Sequence, residues 1–165
     1  MNVDQLRQDL QQGSTPHLRH RRVTLGLSLA GIASMTPATL LQMGVLKHLP
    51  DPPLKSFNSD KVNSSYDAYR FGVPDGTLGI LSFAANLPLL AFGGANRAQD
   101  KPWVPLVATG KAAVDATVAL WYFYQMPTKE RAWCIYCIAG QLASLGILAS
   151  TLPEARAALA SLRGK

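Results

Sequence analysis

Residues 23–46 read VTLGLSLAGIASMTPATLLQMGVL and carry no charged side chain over the whole run. About 20 consecutive apolar residues are enough to cross a bilayer as a helix. Pro37 lies inside the run, and transmembrane helices tolerate a proline as a kink. The run is too long for the apolar part of a signal peptide, and no small-x-small cleavage site follows it. It is therefore predicted to be a retained membrane-spanning helix.

Three further apolar runs follow along the chain. Residues 77–94 are uncharged, residues 103–126 contain only the charges Lys111 and Asp115, and residues 132–152 carry both cysteines of the chain. One long and two short polar connections separate the four runs. Helices of soluble proteins normally show a charged face, which favours membrane helices over a soluble four-helix protein. The sequence thus predicts an all-α protein, a transmembrane four-helix antiparallel bundle.

The length of 165 residues indicates one membrane domain with short flanks. We expect an N-terminal segment at 1–22, a membrane domain at 23–152 and a short basic tail at 153–165. The basic cluster at 19–22 should hold the N-terminus in the cytoplasm. With four spans both termini are then cytoplasmic and the cysteines face the other side. The net charge is +6, but the basic residues form no long stripe interleaved with aromatic residues. Nucleic acid is therefore not an expected partner.

The two cysteines form the motif Cys134-Ile135-Tyr136-Cys137 at the start of the fourth run. At a helix start, the first N–H groups and the helix dipole favour the thiolate, which is the nucleophile in disulfide exchange. One Cys-x-x-Cys is half a zinc site, but a second pair is missing and the three histidines lack ligand spacing, so no metal is predicted. Two inert, buried cysteines are the alternative. The spacing and the position favour redox chemistry.

A second stretch, SSYDAYRFGVPDGTLG at 64–79, resembles the loop-to-second-helix region of the vitamin K epoxide reductase family. Bacterial members typically show a serine pair, then Phe-Gly-x-Pro, then a glycine early in the helix. The matching residues here are Ser64, Ser65, Phe71, Gly72, Pro74 and Gly79. The pair Cys134 and Cys137 looks like the active-site pair of this family. The resemblance covers about residues 23–152.

The resemblance implies a thiol–disulfide oxidoreductase in a bacterial plasma (inner) membrane. Cys137 would lie nearest a membrane quinone, either ubiquinone or menaquinone, and would pass electrons to it. Cys134 would exchange disulfides with a thioredoxin-like extracytoplasmic thiol protein. We expect Cys134 to be the more accessible thiol, because it lies nearer the helix start and the aqueous boundary.

Four polar residues are candidates for contacts in this site, namely Gln141, Asp75, Ser64 and Ser65. Gln141 stands where the family often has a tyrosine near the quinone, and its amide can donate to a quinone carbonyl. Asp75 falls where some members have an asparagine, and a carboxyl group donates only when it is protonated. The two serines are predicted to hydrogen-bond near the cysteines, although ordinary loop serines are equally compatible with the pattern.

The chain departs from the family in its first long loop. Members usually carry a second cysteine pair there, spaced by seven residues, which shuttles electrons to the active-site pair. Counting back from the serine pair places Asp51 and Ser59 at these positions, and neither residue forms a disulfide. Either a partner thiol reaches Cys134 directly, or the chain is a diverged, non-catalytic membrane subunit or binding module of the same fold.

Lys111 and Asp115 lie four residues apart and share a helix face. Charges inside a membrane usually face the interior of a bundle. The pair predicts either a proton path toward the reduced quinone or a neutralised structural pair, and the structural pair is the simpler interpretation. A small transporter built around this pair is a third functional alternative, which four spans without an internal repeat support little.

Overall fold

The computed structural model describes residues 2–164, and most of this range is helical. Within this range the chain forms seven α-helices: α1 (Val3–Gln12), α2 (Pro16–Gln42), α3 (Ser59–Asn63), α4 (Asp75–Ala91), α5 (Arg97–Asp100), α6 (Trp103–Gln125) and α7 (Ile135–Arg163). A 3₁₀ turn at Tyr66–Tyr69 precedes α4, and a π-helical turn at Met126–Glu130 extends α6. No β-strand forms between residues 2 and 164, which confirms the predicted all-α class.

The helices differ in their bounds from the apolar runs. α2 begins well before residue 23, because the side chain of Thr15 accepts a hydrogen bond from the Leu18 N–H group at 3.4 Å and Pro16 occupies the first turn. It ends at Gln42, and Gly44 then adopts a φ of 75° that turns the chain away. At the other terminus α7 continues through Pro153, so the predicted tail is an extension of the last helix.

Among the described residues, three helices are long and apolar enough to cross a membrane by length and composition. They are Pro16–Gln42, Trp103–Glu130 and Ile135–Arg163. α4 is apolar but has 17 residues, or about 25 Å of helix against a hydrocarbon core of ~30 Å. Large apolar side chains are exposed on all four of these helices, among them Leu29, Leu81, Val114 and Leu142. Exposed apolar surface of this extent indicates contact with lipid.

Three pairings of long helices form the centre of the molecule, since α7 packs against both α2 and α6, and α4 lies against α2. Phe83, Ala112, Ala143 and Ile147 are the buried core that these helices share. The ring of Phe83 fits against Gly31, where a Cβ would lie 2.5 Å from the ring atoms. A larger residue at this glycine would therefore force α2 and α4 apart.

A buried charge network closes one end of the molecule, which we call the arginine end and define by Arg21, Arg97 and Glu154. Arg21 Nη2 donates to Glu154 Oε1 at 2.5 Å, and Arg97 Nη2 donates to Glu154 Oε2 at 2.7 Å. The two guanidinium groups also donate to the carbonyl oxygens of Leu89, Phe92, Gly93 and Gly94, at the end of α4. The network thus joins the first part of α2 to the end of α4, to α5 and to the second half of α7.

The opposite end carries the cysteines and is called the cysteine end. Here the end of α2 meets the start of α4. Gln42 Nε2 donates to Asp75 Oδ1 at 2.6 Å, and Gln42 Oε1 accepts from the Gly76 N–H group at 3.1 Å. The long loop, residues 43–74, lies across this end between α2 and α4.

Glu154→Ala should destabilise the protein by about 3–5 kcal/mol, because two buried guanidinium groups lose their shared counter-charge. Thermal unfolding of the purified protein in detergent micelles measures this loss. Arg156→Ala is the control, since Arg156 is exposed on the same helix and its removal should change stability little. Equal melting temperatures for the Glu154 variant and the wild type would show that the network does not hold the arginine end.

Candidate active site

The two cysteines form a disulfide at the first turn of α7, with their Cα atoms 5.3 Å apart. Cys134 is the N-cap residue of this helix, and its sulfur accepts a hydrogen bond from the Cys137 N–H group at 3.1 Å. Trp133 and Cys134 are extended, so the helix starts directly at the motif. A helix N-terminus favours negative charge on a capping group. After reduction of the disulfide, this geometry therefore stabilises a thiolate on Cys134.

The expectation that Cys134 is the more accessible sulfur is wrong. Its side chain has no exposed surface, whereas Cys137 is partly exposed. The long loop covers Cys134 by pairing its backbone with Trp133. The Asn58 N–H group donates to the Trp133 carbonyl at 2.9 Å, and the Trp133 N–H group donates to the Ser56 carbonyl at 2.8 Å. Position in the sequence alone carried no information about this cover.

Asn63 contacts Cys134, and the sequence analysis missed it. Its Nδ2 atom donates to Cys134 Sγ at 3.3 Å and to the Ser59 carbonyl at 2.7 Å. Its Oδ1 atom lies 3.8 Å from Cys137 Sγ. The side chain is buried, so one amide links the long loop to both sulfurs. The available signal was its position directly before the serine pair.

Asp51 and Ser59, the residues at the expected relay positions, are in contact with each other. The Ser59 backbone N–H group donates to Asp51 Oδ2 at 2.7 Å, and Ser59 Oγ donates to Asp51 Oδ1 at 2.6 Å. Ser59 is fully buried. This polar clamp closes the same stretch of loop that a disulfide would close, but it carries no electrons.

Cys137 lines a cavity of about 270 Å³ between the long helices. Gln141 and Asp75 line the same cavity, so the structure brings together three of the six site residues predicted from the sequence. Most of the remaining wall is apolar, with Met35 and Phe83 among its side chains. An apolar cavity with a few convergent polar groups is the usual form of a small-molecule site.

The polar side chains of the cavity wall differ in their hydrogen-bond partners. Gln141 is 8% exposed, and its Oε1 atom has no hydrogen-bond partner among the described residues. A buried amide oxygen left unpaired is costly, so this group is available to a bound molecule. One oxygen of the Asp75 carboxyl group already accepts from Gln42 Nε2 at 2.6 Å, a hydrogen bond that both protonation states of the group allow.

The two serines occupy different places. Ser65 lines a smaller recess of about 30 Å³ together with Cys137 and Gln141. Ser64 caps the end of α3 and is exposed, and it lines neither this recess nor the main cavity. The structure therefore brings only the second serine near the predicted site.

A charge cluster holds the loop against the turn that follows α6. Asp67 is buried and accepts from Lys129 Nζ and, at 2.5 Å, from Arg70 Nη2. The hydrogen bond from Lys129, followed by that from Arg70, holds the pKa of Asp67 below its ordinary value. The carboxylate is then charged at neutral pH, and it anchors the 3₁₀ turn of the loop beside the recess.

Between residues 2 and 164, no three or more His, Cys, Asp or Glu side chains are grouped as ligands for a metal ion. The two sulfurs are joined to each other, as a redox pair requires.

The sequence of the chain matches a known protein family. The model of the vitamin K epoxide reductase family matches residues 22–152. The match includes both cysteines, the long loop and every residue named on the cavity wall. No curated protein matches the chain.

Asn63→Ala should shift the thiol–disulfide equilibrium of the pair toward the disulfide by ~10-fold or more. The wild-type amide donates to the Cys134 sulfur, and a hydrogen bond to a charged group contributes about 1.5–3 kcal/mol. Equilibration in glutathione buffers, followed by alkylation and mass spectrometry, gives the reduced fraction. Ser64→Ala alters the exposed neighbour and serves as the control. An unchanged equilibrium in the Asn63 variant would show that the amide does not act on the sulfur pair.

Proposed function

The chain belongs to the vitamin K epoxide reductase family, and from this membership we propose that it is a quinone-dependent thiol–disulfide oxidoreductase of the membrane. Electrons would pass from an extracytoplasmic thiol protein to the Cys134–Cys137 pair and from this pair to a membrane quinone. The single observation that carries the proposal is the position of Cys137, one sulfur of a disulfide, in the wall of an apolar cavity between membrane helices.

The cavity has the chemistry that a quinone head group needs. Its wall is mostly apolar, and its volume of about 270 Å³ lies just below the usual range for drug-sized ligands, which suits a ring without its tail. The unpaired Gln141 amide supports this fit. Its oxygen accepts from a quinol hydroxyl, and its NH₂ group donates to a quinone carbonyl. Gln141 would therefore contact both forms of the substrate.

Both electrons of a turnover would pass through one sulfur pair, Cys134 and Cys137. A partner thiolate attacks the Cys134–Cys137 disulfide, and the second partner thiol completes the exchange. The partner leaves as a disulfide, and Cys134 and Cys137 are then reduced. Re-formation of their disulfide releases two electrons, and a quinone accepts these with two protons as it becomes a quinol. Asn63 and the Cys137 N–H group stabilise the Cys134 thiolate between the two half-reactions.

The cover over Cys134 sets a condition on the partner. Because this sulfur is fully buried beneath the long loop, a thioredoxin-like protein must open the loop to reach it. The Asp51–Ser59 clamp and the Asn58–Trp133 backbone pair are the contacts that must yield. These same contacts support the alternative, a diverged non-catalytic membrane subunit in which the loop stays closed over Cys134.

We also propose the topology expected from the sequence, a four-helix antiparallel bundle in a bacterial plasma membrane. α2, α4, α6 and α7 would each cross it, and loop residues would compensate for the shorter α4. Both termini, with the arginine end, would lie on the cytoplasmic side. The site residues Ser65, Asp75 and Gln141 would then lie near the opposite face, close to the cysteines.

The purified protein should reduce a short-chain quinone when a small dithiol supplies electrons. Cys137→Ala should abolish this activity, since every electron must pass through the only sulfur pair of the chain. The double variant Asp51→Ala, Ser59→Ala should keep most of the rate, because the clamp contains no sulfur. Absorbance of the quinone measures both.

Two results would change the proposal. Quinone reduction that survives the loss of Cys137 would remove the enzymatic function. A folded wild-type protein that shows no turnover with any dithiol would favour the non-catalytic subunit. A small dithiol is the appropriate donor, because it enters without the large loop opening that a protein partner requires.

A further inference from the structure

A second polar cluster lies on the cavity wall, on α4 and α6, and farther along these helices from the cysteine end. Lys111 Nζ donates to Asp115 Oδ2 at 2.5 Å and to Ser82 Oγ at 3.0 Å, and Ser82 Oγ donates to Asp115 Oδ1 at 2.8 Å. Each polar group of the three thus has a partner within the cluster. The side chains of Lys111 and Asp115 are each 22% exposed, so the pair is neither sealed in the core nor free in solvent.

The cluster is part of the cavity that contains Cys137. Asp115 and Ser82 line this cavity, whereas Lys111 lies behind Asp115, toward the arginine end. On α6, Asp115 precedes the wall residue Tyr122 by seven positions, or ~10 Å along the helix axis. The cavity therefore has a sulfur end at Cys137 and a carboxylate end at Asp115. The two ends are about the length of one substituted ring apart.

A reduced pair with Cys134 as thiolate carries only one proton. Re-forming the disulfide and producing a quinol requires two protons, of which the Cys137 thiol supplies one. A second donor is needed at the carbonyl that lies away from the sulfur. Water is a poor source in an apolar cavity, because the wall offers few polar groups to hold it.

We propose that Asp115 supplies this second proton, which it receives from Lys111 through their direct hydrogen bond. This inference rests on the proposed function. In each turnover the ammonium of Lys111 gives one proton to Asp115, Asp115 gives it to the quinone oxygen, and Lys111 regains one from water at the arginine end. Ser82 orients the carboxylate through its hydroxyl.

The other ionisable groups on the wall are less suited to this role. From α4, Asp75 faces the cavity but is held by Gln42 at the cysteine end. From α7, Cys137 is the redox group itself. Tyr122 of α6 lies on the sulfur side, since it also lines the smaller recess with Cys137. Lys111 and Asp115 remain as the linked acid and base of the opposite side.

A double substitution separates this role from a structural one. An ion pair that only neutralises itself can be replaced by apolar residues of similar volume without loss of stability. Lys111→Met with Asp115→Leu should therefore melt like the wild type but transfer electrons to quinone ~10²-fold more slowly, the usual effect of losing a general acid. The measurement is single-turnover quinol formation by the dithiol-reduced full chain in lipid nanodiscs.

The pH dependence of the rate is a second readout, and a change in packing alone does not alter it. In the double variant the second proton must come from solution, so its rate relative to the wild type should fall further as the pH rises from 6 to 8. Asp115→Asn keeps the shape of the side chain and should be slow, while Asp115→Glu keeps the acid and should recover most of the rate. Thr117→Val, on an exposed face of α6, is the control.

The outcomes are distinct. A wild-type protein that reduces no quinone overturns the proposed function and this inference with it. If the wild type turns over and either the double variant or Asp115→Asn matches its rate and pH profile, the inference alone fails. A slow Asp115→Asn and a restored Asp115→Glu support it even if the double variant does not fold.

Discussion

The cysteine end depends on the pairing of the long loop with Trp133, the residue directly before the disulfide. Two backbone hydrogen bonds join Trp133 to Ser56 and Asn58. They lay the loop over the start of α7, and the Asn63 amide then reaches the buried sulfur of Cys134. A helix N-terminus and one amide thus surround this sulfur with donors while the loop excludes water. The result is a Cys134 sulfur that is electrostatically prepared for exchange but sterically closed to a protein partner.

Polar interactions hold both ends of a molecule whose long helices present apolar faces outward. At the arginine end, one carboxylate serves two guanidinium groups, which also satisfy carbonyl oxygens at the end of α4. Leaving any of these groups unpaired in a buried place would be costly. Lipid provides no hydrophobic drive for helices to associate with one another, so such contacts, with close packing at Gly31, give the arrangement its specificity.

The sequence predicted the helical class, the apolar segments and the sulfur pair, because these follow from hydropathy and local spacing. It placed the end of the last helix too early, since Pro153 is tolerated inside α7. It also failed at Cys134 and Asn63, where burial and hydrogen bonding arise from a loop more than 70 residues away in the chain. Counting from the serine pair did identify Asp51 and Ser59, and their contact shows that the loop is closed without sulfur.

We propose that a membrane quinone is the electron acceptor of the Cys134–Cys137 pair. The most direct measurement is the redox state of the pair in living bacterial cells, trapped by thiol alkylation with quinone synthesis present and then blocked. The pair should be mainly oxidised when quinone is present, and both thiols should accumulate when its synthesis is blocked. An oxidised fraction that is the same in both conditions would exclude quinone as the acceptor.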